Sequence, residues 1–146
     1  MDALNREDLL GFLNIMLEAE RAGAKALLRI SKDTERAAIA ELAKAIHHDE
    51  ARWCAMLTKQ IGVLNGQPSE KTGQFYEKVI AIPDDGERLA LVNRGQDWVV
   101  RKLRDAIPRI ADAQLAGELT VMLVSHEENI AAVAGSGLAG RFQGSE

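Results

Sequence analysis

Two histidines, an aspartate and a glutamate occupy four consecutive positions in KAIHHDEARWCAML, Lys44 to Leu57. Imidazole nitrogens and carboxylate oxygens are ligands for first-row divalent metals. The stretch is therefore either a metal box or a polar patch on a helix surface, and the direction of each side chain decides which. With about 100° of rotation per residue, Ile39, Ala43, Ile46, Trp53, Cys54, Leu57 and Ile61 fall within about 60° of Glu50. Glu50 then sits at the centre of an apolar stripe and His47 at its edge. His48 points away, and Asp49 lies to the side.

The same arithmetic centres Glu20 among Leu9, Leu13, Met16, Leu17, Ala24 and Leu27. It centres Gln96 among Leu89, Val92, Val99, Val100 and Leu103, and His126 among Leu115, Leu119, Met122 and Val133. Each of four segments thus offers one polar side chain in mid-stripe. Glu20 and Glu50 are 30 residues apart, as are Gln96 and His126, and an offset of 76 relates the two pairs. At that offset Leu13 meets Leu89, Met16 meets Val92, Leu27 meets Leu103 and Ile46 meets Met122. This pattern reads as an old duplication of a helical hairpin.

Carboxylates are almost never buried without a partner. Two glutamates, a glutamine and a histidine converging in a core ask for a bound divalent metal (iron, manganese or zinc) or a closed, metal-free hydrogen-bond tetrad. Both alternatives stay open at this point.

The positioning elements follow from periodicity. A first helix is expected from about Arg6 to Ile30. SKDTE (Ser31 to Glu35) then supplies Asp and Thr as N-caps for a second helix ending near Ile61. GVLNGQPSEKTG is a loop, Gln74 to Ile82 a short helix, and PDDG a turn. A third long helix covers about Glu87 to Ile107 and a fourth Ile110 to Ala134. The expected fold is all-α: one domain over 1–134, a four-helix bundle with a long crossover that carries a short helix. A glycine-rich tail, 135–146, is expected to be flexible.

The 146 residues are 47% hydrophobic and 27% charged, with three prolines, one cysteine and a net charge of −4. One cysteine excludes an internal disulfide framework, and Cys54 itself reads as a small hydrophobe. The chain shows no basic stripe of the kind nucleic acid needs, and Arg101, Lys102 and Arg104 read as a solvated face near a helix end. No apolar run approaches the ~20 residues of a membrane span, and no signal peptide opens the chain. The expectation is a cytoplasmic protein bound to neither nucleic acid nor membrane. Trp98 and Leu91 fall on the outer side of the third helix, where either the connector or a second copy, in a homodimer, would cover them.

The stretches LEAERAGAKAL, HDEARWCAML, TGQFYEKVIAI, LVNRGQDWVVRKL and SHEENI resemble the ferritin-like superfamily, and more closely a family of small bacterial ferritin-like proteins of unassigned function. The resemblance implies the bundle. The superfamily's di-iron pattern places a Glu on the first and third helices and Glu-x-x-His on the second and fourth. Glu20 and Glu50 match two of these positions. Helix two instead reads His47-x-x-Glu50 with Trp53 in the histidine's place. Gln96 replaces the third-helix glutamate, and Leu123 stands three residues before His126. The resemblance therefore implies one metal on Glu20, Glu50 and His126, adjusted by His47 or Gln96, with positions open to water, oxygen or a small-molecule substrate.

Overall fold

A computed structural model describes residues 2–140. Among the described residues five α-helices form: α1 (Arg6–Asp33), α2 (Ala37–Val63), the short α3 (Phe75–Ile80), α4 (Asp85–Ala106) and α5 (Ala113–Ser136). A single 3₁₀ turn, Ile107–Arg109, holds Pro108 and ends α4. No strand occurs among the described residues, and none of their helices is long and apolar enough to cross a membrane.

Three helix starts are capped as their sequences suggest. Asn5 accepts from the Asp8 N–H at 2.7 Å, Asp84 from Glu87 at 2.9 Å, and Asp112 from Gln114 at 2.9 Å. The SKDTE expectation is corrected. α1 continues through Asp33, Thr34 is its C-cap, and Arg36 is the N-cap of α2 with no side-chain cap bond. Thr34 is used otherwise: its hydroxyl donates to Asp85 at 2.5 Å and accepts from the Arg36 N–H at 3.1 Å. Arg36 also pairs with Asp85, so the α1–α2 connection is tied to the start of α4.

The long α2–α4 connection lies along α1, whose side chains bond several of its backbone groups. Asn14 spans it, donating to the Gln67 carbonyl at 3.1 Å and accepting from the Ser69 N–H at 2.7 Å. Glu18 accepts from the Ser69 hydroxyl at 2.7 Å, and Arg21 donates to the Lys71 carbonyl at 2.6 Å. α3 then packs on α1 and α4, with Val79 fully buried and Phe75, Tyr76 and Leu91 half-buried around it. Leu91 packs against the cluster that holds Val79 and is half-buried, whereas Trp98 stays 38% exposed under Lys102.

The core is in two parts. One apolar cluster gathers Leu13, Leu17, Trp53, Leu57, Leu103 and Leu119. The other gathers Leu27, Ile39, Ala43, Leu89, Val92 and Val133. Residues paired by the 76-residue offset share burial: Leu13 and Leu89, Leu27 and Leu103, Ile46 and Met122, and Leu57 and Val133 are all inside. Between the clusters, in the middle of each long helix, lie Glu20, Glu50, Gln96 and His126.

α5 runs two residues beyond the expected Ala134, and Gly137, at φ 72°, turns the chain out of it in the left-handed region. Leu138 and Ala139 then pack on the second cluster, and the Gly140 N–H donates to the Gly86 carbonyl at 2.8 Å. The rest of the expected flexible tail, 141–146, lies outside the described residues. A Cβ at Gly86 would overlap the carbonyls of Gly140 and Leu138, whereas Gly117 has open space around it. Gly86→Ala should therefore cost about 1–3 kcal/mol. Gly117→Ala should stabilise by about 0.5–1 kcal/mol, the two effects being opposite shifts in the urea midpoint.

Candidate metal centre

Each long helix delivers its mid-stripe polar residue to the interior. Glu20 is 1% exposed, Glu50 2%, Gln96 3% and His126 1%. Of the neighbours of Glu50, His48 is exposed and His47 half-buried, as their rotation predicts, whereas Asp49, expected in solvent like His48, is half-buried.

Three of the four meet. His126 Nε2 lies 2.8 Å from Glu20 Oε1 and 3.7 Å from Glu50 Oε2. One ligand atom from each residue falls within 4.8 Å of the others, and this is the one such group among the described residues. The Met122 carbonyl, 2.9 Å from His126 Nδ1, can only accept, which puts a proton on Nδ1. Nε2 is thereby turned toward the carboxyls, as in metal-ligating histidines whose other nitrogen donates to a carbonyl. Nε2, Glu20 Oε1 and Glu50 Oε2 are all buried, and none has a directed hydrogen bond.

Burial pushes the Glu20 carboxyl up to about 7, with hydrogen bonding to Glu50 pulling the other way. Burial and then the Glu20 charge raise Glu50 well above the usual carboxylate range. Two such groups side by side cannot both ionise without a compensating cation. Cys54 is pushed up to about 12, by burial first and then by the charges of Glu20 and Glu50. It remains a thiol and supplies no thiolate.

Space for the Glu50 carboxylate comes from Gly23 on α1, where a Cβ would stand 3.0 Å from Oε1. Gly95 likewise seats the Phe75 ring, 2.8 Å from where its Cβ would be. His47 stands apart from the cluster, its Nδ1 2.8 Å from the Ala24 carbonyl. Asp49 accepts from Asn129 at 3.1 Å, which ties α2 to α5 beside the site. Asn93 makes only a 3.4 Å bond to the Ile130 carbonyl. Trp53 is 1% exposed inside the first apolar cluster.

Sequence reasoning missed a cleft. A cavity of about 520 Å³ opens between α1, α4 and the start of α3, and Glu20, Glu50 and Gln96 reach it. Its walls are mostly apolar, with Ile15, Phe75, Leu91, Val92 and Trp98 among them. The two glycines near the polar layer were the available signal, since both line this space.

A family model described as "Domain of unknown function (DUF6306)" matches residues 7–135, and the chain belongs to that family. No curated protein and no solved structure matches it.

The raised carboxyls carry a pH signature. Folded Glu20 keeps its proton to about 7, whereas the unfolded chain gives it up near 4.5. Between those values the folded state binds more protons, so stability falls as pH rises. In the presence of a chelator the urea midpoint should decrease from about pH 5 to pH 8. The double variant Glu20→Gln, Glu50→Gln should flatten that slope.

Proposed function

We propose that this member of the family is a ferritin-like four-helix bundle holding a single divalent cation (iron, manganese or zinc) between Glu20, Glu50 and His126, with Gln96 beside them. The topology supports the likeness. α1–α2 and α4–α5 are hairpins with short connections, and the long crossover between them carries α3. The observation that carries the metal reading is the convergence of three buried ligand atoms with no directed hydrogen bond.

The donor set fits such a cation. Ligands about 2.0–2.2 Å from a first-row metal stand roughly 3–4 Å from each other; the His126–Glu50 separation of 3.7 Å falls in that range, and the His126–Glu20 separation of 2.8 Å would widen slightly around a cation. Two carboxylates balance a 2+ charge, so the site as a whole is neutral and the cost of burial is largely removed. Trp53 and Leu123 put apolar groups at superfamily ligand positions, and this favours one cation over two.

Bound there, the cation would supply Lewis-acid chemistry or, as iron or manganese, redox chemistry toward oxygen, peroxide or a small molecule. The chain's own residues do the rest. Met122 holds the His126 ring by its Nδ1–H, Gly23 makes room for the Glu50 carboxylate, and the α1–α4 cleft gives access from outside.

A second reading is a metal-free bundle acting as an interaction or stress-related module, its polar layer fixing helix register. The 2.8 Å approach of His126 to Glu20 favours it. Metal content separates the two. Protein purified without chelator should carry about one equivalent of metal per chain by elemental mass spectrometry. Glu50→Ala should lower that at least tenfold, and His48→Ala should leave it unchanged. Absence of metal, or equal loss from both variants, overturns the metal reading.

A further inference from the structure

The 520 Å³ cleft is within the range of pockets that hold small organic molecules, roughly 300–1,000 Å³. Its walls are apolar and partly aromatic, with Phe75 from the connector and Trp98 from α4. On its inner side lies Gln96, which is 3% exposed. Both Nε2 and Oε1 of that carboxamide are buried without a hydrogen-bond partner. A buried amide normally finds partners for both atoms, and a carboxamide can donate and accept to the same small head group. Apolar walls with one convergent polar group are the features of a small-molecule site.

We propose that this cleft binds a small uncharged organic molecule, with a ring body between the apolar walls and a hydroxyl or carbonyl head hydrogen-bonded to the Gln96 carboxamide. Charge narrows the class. Arg94 and Arg101 at the cleft's rim disfavour a cation, and Glu18 beside them offsets part of their charge. The floor at Glu20 and Glu50 is neutral whether they are protonated or hold a cation, so nothing in the cleft calls for a charged ligand. Phe75 and Trp98 offer faces on which a ring can stack. The site shares its floor with the proposed metal centre, yet it uses residues of this chain that need no metal.

4-Ethylphenol and ethylbenzene, which differ by one hydroxyl, are the probes. Titration of the full chain by amide NMR, including the Gln96 side-chain signals, should show saturable binding of 4-ethylphenol at least tenfold tighter than ethylbenzene. Gln96→Leu should abolish that preference while the thermal midpoint holds or rises, because the carboxamide has no partner to lose. Ala19→Trp, which fills the cleft from α1, should weaken both probes at least tenfold. Equal affinity for the two probes in the unaltered chain, tighter binding of phenethylamine than of 4-ethylphenol, or a preference that survives Gln96→Leu would overturn the proposal. The titrations are run with chelator and again with added zinc. Protein that takes up none of the added zinc yet still binds 4-ethylphenol sinks only the metal reading. Metal-loaded protein with no saturable 4-ethylphenol site sinks only this one.

Discussion

A carboxylate taken out of water loses hydration worth several kcal/mol, and here two are taken out together. Glu20 and Glu50 lie between two apolar clusters, each almost fully enclosed. Burial raises both carboxyls; the charge of Glu20 raises Glu50 further, whereas hydrogen bonding to Glu50 pulls Glu20 back down. An interior of this kind is stable when protons, an imidazolium or a cation restore neutrality. The rest of the molecule serves that requirement. Four long helices must stop their apolar stripes at the same height, and a slip of one turn in any of them would press a polar group into hydrocarbon.

The two hairpins contribute unequally. α1 and α2 bring the acids, and α4 and α5 bring a neutral amide and an imidazole. The four positions related by the 76-residue offset thus divide into an acidic half and a neutral half, while the leucines and methionines around them are buried alike. The amide's half opens onto the cleft through Gln96. The imidazole's half is closed by the Met122 carbonyl.

Much of this was legible in the sequence, because helical rotation is local arithmetic. The inward direction of Glu20, Glu50, Gln96 and His126, and the outward one of His48, follow from the neighbours within two turns of each. What was not legible depends on contacts between distant segments. Nothing in the periodicity of α1 announces that Asn14, Glu18 and Arg21 hold the backbone of residues 67–71. Thr34 looks like an N-cap by type, yet it is drawn to Asp85, 51 residues away. His47 lies at the stripe's edge as the rotation said, and the nearby Ala24 carbonyl decides its partner. The cleft is defined by space between helices, which side-chain types only hint at through Gly23 and Gly95.

The contact between Gly23 and the Glu50 carboxylate joins two places 27 residues apart in the chain. On α1, Glu20 supplies an oxygen, and one turn later the missing side chain makes room for the oxygen that α2 supplies. A methyl group at 23 would stand 3.0 Å from that oxygen, and the carboxylate would have to give way by a few tenths of an ångström. What stands at 23 thereby sets how close to α1 the acid from α2 can lie, and a change on one helix is felt first by the other.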